Sequence, residues 1–172
     1  LANYLIKMGA KITGAGTSVI RIEGVSKLHA AEHEVMSDRI EAGTLLIAGG
    51  ITGGEVTVNR INPEWIESLI SKMQDCGFKI TKEKNSVTVH KLKSWGAADI
   101  TTNPYPLFPT DLQAQYMALM ACSEGTSVIT ESVFENRFMH VQELTRLGAD
   151  ITPKTRVAVV RGAAHKLIGA PV

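Results

Sequence analysis

At 172 residues and 44% hydrophobic, the chain is long enough for one domain with a real core, or for one and a half small ones. Eighteen Lys and Arg against 17 Asp and Glu leave a formal net charge of +1, no electrostatic footprint for nucleic acid or an anionic membrane, though a local pocket for one anion stays open. Aromatics at 5% are too sparse for a base-stacking platform, and no apolar run reaches spanning length or follows the order of a signal peptide, so a cytoplasmic setting is expected.

The chain opens on Leu1 inside a helix, LANYLIKMG, and is therefore expected to be a piece of something longer. Gly9 ends that helix and KIT starts a strand, followed by a second strand in TSVIRIEGV. A short strand is expected in EHEVM (32–36), then a helix over 38–51 and a strand in GEVTV. Asn62 as cap and Pro63 as first helical residue start a helix over 63–76. Gly77 ends it, and the turn residues KNS join two strands of a hairpin. The order then repeats: strand ADITT, helix 111–123, strand TSVI, helix 138–147, Gly148, and a hairpin around PKT.

The repeat is visible in the residues themselves. LIKMGAKIT, SKMQDCGFKIT and QELTRLGADIT echo one another, each with glycine where a helix C-terminus needs a left-handed residue. Asp38 and Asp111 stand 73 positions apart, Gly54 and Gly125 71 apart. A period near 70 exceeds the usual solenoids and suits a βαβαββ module used around a pseudo-symmetric domain. Two modules are nearly complete, and the first 36 residues form the tail of an earlier one.

Where the copies differ, chemistry is expected. NRINPEWIESL in the first copy is ordinary capping and packing, whereas ESVFENRFMHVQEL (131–144) sets Arg137 in a first helical turn, against the helix dipole. Arg137 either pairs with Glu131 or Glu135 on the surface or serves something other than capping and packing. In TNPYPLFPTDLQAQ, three prolines in six positions are expected to hold the chain extended up to Asp111. That aspartate is either an N-cap or a positioned base.

Other features read as structural. Cys76 and Cys122 lie in predicted helices without metal-ligand spacing and read as small buried hydrophobes of a reducing compartment. The glycine-rich stretches lack the Lys-Ser/Thr of a P-loop and a full dinucleotide fingerprint, so they read as turns and no cofactor is expected. The five histidines are scattered, and His29 and His33 fall in a loop entering a strand, so no metal is expected either. His140 reads equally as a cap, a surface residue or a partner of Arg137.

FPTDLQAQ and VFENRFMHV, with DRIEAGT as a third motif, resemble the UDP-N-acetylglucosamine enolpyruvyl transferase family along all 172 residues. The resemblance implies an inside-out α/β barrel fold of repeated βαβαββ modules, present here in part. It implies that residues 1–36 close a first domain and that 37–172 form most of a second. The substrates implied are UDP-N-acetylglucosamine and phosphoenolpyruvate, with the remainder of the same polypeptide as a partner and no nucleic acid or membrane.

By the same resemblance Asp111 lies near the attacking sugar hydroxyl, as base or orienting acceptor. Val133 touches the UDP-sugar largely through its backbone, Phe134 walls that pocket, and Arg137 faces the carboxylate or phosphate of phosphoenolpyruvate. The family's loop cysteine has no counterpart, because Cys76 and Cys122 match helix positions. Two alternatives are weighed against this: the sister transferase of the shikimate pathway, which VFENRFMHV argues against, and a non-catalytic module that keeps the fold and part of the pocket.

Overall fold

The computed structural model describes residues 1–163 and 167–171; His165 lies outside them. The chain divides into two compact units, Leu1–Met36 and Ser37–Val172. Among the described residues no helix is long and apolar enough to cross a membrane.

The first unit holds α1 (Ala2–Lys7) and an antiparallel hairpin of β1 (Lys11–Thr13) and β2 (Arg21–Glu23), with Ile12 opposite Ile22. Residues 32–36 form no strand, contrary to the alternation in EHEVM, and Val35 and Met36 are exposed. Alternation reports only that a segment could present one face; a strand also needs a neighbour for its backbone groups.

The second unit contains two modules. The first runs α2 (Arg39–Ile51), β3 (Val56–Asn59), a 3₁₀ turn (Pro63–Ile66) leading into α3 (Glu67–Asp75), then β4 (Ile80–Glu83) and β5 (Ser86–Val89). The second runs β6 (Ile100–Thr101), a 3₁₀ turn (Thr110–Leu112) leading into α4 (Gln113–Ala121), β7 (Glu124–Thr130), α5 (Val141–Arg146), β8 (Asp150–Lys154) and β9 (Val157–Ala163). The sheets are β3-β5-β4, all antiparallel, and β6-β7-β9-β8, in which β6 and β7 run parallel. Asn59 faces Ser86 as Thr130 faces Val157, so strands and hairpins of the two copies superpose at an offset of 71.

The helix ends follow the glycine reading. Gly77 and Gly148 have φ of +101° and +95°. Gly77 N–H donates to the Gln74 carbonyl and Phe78 N–H to that of Met73; Gly148 and Ala149 do the same to Thr145 and Leu144. This is the Schellman pattern, and it satisfies carbonyls that a bare helix end would leave open.

Leu69, Met73, Leu112, Tyr116, Leu119 and Val141 are buried, as helical spacing predicts, and Leu144 packs against them. Each of the fully buried aliphatic side chains among them contributes roughly 1.5–3 kcal/mol on leaving water. At Gly43 a Cβ would fall 2.8 Å from Leu112 Cδ1 and 3.0 Å from Leu69 Cδ2, so this glycine lets α2 lie against both helical segments. Cys76 and Cys122 are buried free thiols. Burial pushes both thiols up, and Cys76 Sγ lies 3.5 Å from the Tyr116 hydroxyl.

Candidate active site

The connections that differ between the copies also differ in backbone, although not in length. Asn59 to Asp75 and Thr130 to Arg146 each span 16 positions. The first copy makes a 3₁₀ turn and nine α-helical residues of them; the second makes only six helical residues. Asn136, at φ +55°, interrupts the right-handed course, so α5 starts at Val141 and not at 138 as the sequence pattern suggests. At the 71-residue offset Arg137 occupies the place of Ile66, a core residue that is 2% exposed. Omitting the early helical turns keeps that cation out of the core.

The approach to Asp111 also departs from expectation. The proline-rich segment folds back on itself: Leu107 N–H donates to the Pro104 carbonyl and Asn103 N–H to that of Phe108, around a cis Tyr105–Pro106 peptide. Only Pro109, at φ −75° and ψ 137°, is extended immediately before the turn. Proline suits turns as readily as extended chain, and its count cannot separate the two. Pro109 is the N-cap of that turn, and the Asp111 carboxylate makes no capping bond. Asp38, its counterpart, does cap α2, accepting from Ile40 N–H and Glu41 N–H. The N-cap reading of Asp111 is therefore corrected.

The Asp111 side chain instead turns to Arg137. Arg137 Nη2 donates to Asp111 Oδ1 at 2.7 Å, with the two side chains 38% and 53% exposed respectively. The surface pairing of Arg137 with Glu131 or Glu135 does not occur; Arg156 takes Glu135 at 2.9 Å and also donates to the Ser132 carbonyl. The Arg137 guanidinium carbon sits 4.9 Å from the centroid of the Phe134 ring, which is half exposed. An ion pair this open adds at most about 1 kcal/mol to stability, too little to account for an arginine in place of a core isoleucine. Asp111 Oδ2 and the remaining guanidinium N–H groups have no partner among the described residues.

Below this pair lies a group whose role sequence reading missed. Glu131 is 1% exposed, and its carboxylate accepts five hydrogen bonds. Oε1 takes Thr102 Oγ1 (2.8 Å), Val133 N–H (2.9 Å) and Phe134 N–H (3.1 Å); Oε2 takes Thr110 Oγ1 (2.7 Å) and Gln113 Nε2 (3.3 Å). Burial alone pushes this carboxyl up, but the bonds from Thr110, Phe134, Thr102 and Val133 together outweigh it and hold it below the usual glutamate range. A carboxylate that accepts from the amides two and three positions later is a local turn pattern, and an acid in such a loop is its only sequence signal.

Val133 N–H is thus already committed, and of its peptide groups the carbonyl remains for a ligand. His140 stands at the N-cap position of α5 but makes no capping bond; its ring lies edge-on to Phe138 at 6.5 Å. Burial, then the nearby Arg137 charge, push His140 below the ordinary histidine value.

Since folding lowers the pKa of Glu131, its stabilising contribution is complete above the ordinary value of about 4.3 and is lost as pH falls through the lower folded value. Urea midpoints measured from neutral pH down to about 3 are expected to fall more steeply in the wild-type protein than in Glu131→Gln.

The Asp111–Arg137 ion pair is thus exposed, and it joins the turn before α4 to the loop before α5 of the second module. The enolpyruvyl transferase NikO from Streptomyces tendae superposes on 91% of this chain and 38% of its own, with TM-score 0.77 and 26% identity. EPSP synthase from Acinetobacter baumannii covers 94% of this chain and 39% of its own, with TM-score 0.70 and 21% identity, a likeness of fold. Residues 1–172 match the family described as EPSP synthase (3-phosphoshikimate 1-carboxyvinyltransferase), and the chain belongs to it.

Within that family the chain is 70% identical, over all 172 residues, to UDP-N-acetylglucosamine 1-carboxyvinyltransferase of Bdellovibrio bacteriovorus. It is 55% identical to the enzyme of that name from Myxococcus xanthus. It spans 42% and 41% of the lengths of these two relatives.

Proposed function

We propose that this chain is the part of a UDP-N-acetylglucosamine 1-carboxyvinyltransferase that supplies Asp111 and Arg137. The enzyme transfers the enolpyruvyl group of phosphoenolpyruvate to the 3-hydroxyl of UDP-N-acetylglucosamine, the first committed step of peptidoglycan synthesis, in the cytoplasm. Residues 1–36 close its first domain and 37–172 form most of its second. The rest of the polypeptide completes the cleft.

In this reaction the hydroxyl oxygen bonds to C2 of phosphoenolpyruvate and the C2–O bond to phosphate breaks. The hydroxyl proton leaves, and a proton is added to the methylene carbon and lost again. Asp111 Oδ2 accepts the hydroxyl proton or orients the hydroxyl. The guanidinium N–H groups not used on Asp111 bind the carboxylate or phosphate, where a planar fork matches either anion. Phe134 backs the guanidinium and walls the sugar pocket, and the Val133 carbonyl faces the UDP-sugar. The proton donor to the methylene carbon comes from outside these 172 residues.

One observation carries this reading: an open Asp111–Arg137 pair, 2.7 Å apart, in a chain 70% identical along its length to an enzyme of that name. The full-length protein is expected to release phosphate from phosphoenolpyruvate when given UDP-N-acetylglucosamine, and the 172 residues alone to release none. Phosphate release with 3-phosphoshikimate in place of the nucleotide sugar would move the protein to the sister activity. Release by the isolated 172 residues would refute the need for the remaining polypeptide.

A further inference from the structure

We infer that Glu131 is a positioning residue that sets the Asp111–Arg137 geometry, an inference resting on the function proposed above. Its place in the fold carries the argument. Glu131 sits immediately past the last residue of β7, and its backbone N–H donates to the carbonyl of Arg156 in the turn between β8 and β9. From that anchored point its two oxygens reach different elements. Oε2 holds Thr110 and Gln113, which flank Asp111 in the same helical turn. Oε1 holds Val133 and Phe134 N–H, the start of the loop whose Phe134 ring supports Arg137, together with Thr102 just past β6. The Thr102 hydroxyl in turn accepts Ser132 N–H at 3.0 Å.

Asp111 and Arg137 are 26 positions apart, and each is partly exposed. Their own ion pair is too open to hold two connections in register. The buried carboxylate beneath them is bonded to both connections, and all its bonds are made with protein, so it has no free valence for substrate. It acts through Asp111 and Arg137, not on the reacting atoms. At the same offset the first copy has Arg60, and there the connection goes directly into a 3₁₀ turn. A carboxylate at this place accompanies the open loop.

The test uses the full-length protein and two isosteric variants, Glu131→Gln and Thr110→Val. The second removes one donor from the network without touching the loop, and is available if the first fails to fold. Crystal structures read positioning without reference to substrate. In the variants Asp111 Oδ1 and Arg137 Nη2 are expected beyond hydrogen-bond distance, about 3.5 Å, and retention of the wild-type pair overturns the inference. In an enzyme active with UDP-N-acetylglucosamine, each variant is expected to lose about tenfold or more in kcat. In an Asp111→Asn background the further loss shrinks below about threefold, because the two residues act as one unit. Lower melting temperature with unchanged kcat, or fully additive losses, overturns it. Inactivity of the wild-type enzyme with that substrate instead counts against the proposed function, and the crystal structures still decide the positioning.

Discussion

Asp111→Asn in the full-length enzyme is expected to lower turnover by about 10²-fold or more while leaving the melting temperature close to wild type. The substitution keeps size and shape and removes only the charge and the proton-accepting capacity. Stability has little to lose: the side chain is 53% exposed, makes no capping bond, and pairs with Arg137 in a geometry worth at most about 1 kcal/mol. An asparagine oxygen still accepts from Arg137, so the guanidinium keeps a partner. What asparagine cannot do is accept a hydroxyl proton. Turnover at the wild-type level would return Asp111 to a structural role.

Arg137→Lys is expected to cost a comparable factor, about 10²-fold in kcat/KM for phosphoenolpyruvate, again with little change in melting temperature. Arg137 reaches Asp111 with one N–H while its guanidinium carbon lies 4.9 Å from the Phe134 ring centroid, and its other donors have no partner among the described residues. A lysine ammonium is a single point charge on a flexible stem. It can pair with Asp111, but it cannot also present a bidentate face to a carboxylate or phosphate. A surface ion pair would hardly register the exchange. Full activity of the lysine variant would therefore remove Arg137 from the anion site.

Much of this molecule is legible before it is folded. Elements form from local patterns, and the patterns here are strong: β-branched alternation in SVTV and VAVV, glycines closing three helices, and an Asn-Pro start at the first 3₁₀ turn. The helix predicted over 38–51 is observed at Arg39–Ile51, because its cap Asp38 and its apolar face agree. The predictions that moved are those where local preference is permissive. Proline fits a turn as well as an extended strand, so the fold-back between Asn103 and Phe108 was not foreseeable from three prolines. The α5 start moved for a related reason: asparagine tolerates both right- and left-handed backbone, and only the folded chain shows φ +55° at Asn136.

The candidate site divides along the same line. Asp111 and Arg137 are identifiable in the sequence because the internal repeat supplies a control: a cation where the twin connection holds an isoleucine, and an aspartate after an unusual approach. Their partnership is not, since 26 positions separate them and Glu131 and Glu135 are nearer in the chain. The role of Glu131 was least visible of all. Its five donors come from β6's end, the helical turn at Asp111 and its own loop, and a carboxylate leaves water only where a fold has gathered such donors. Composition, periodicity and capping by themselves determined the modules and the helix ends, and the difference between the two copies singled out Asp111 and Arg137. Tertiary structure alone decided which acid meets the arginine and which is buried, because a charge's partner is set by distance through space and its cost by exclusion from water.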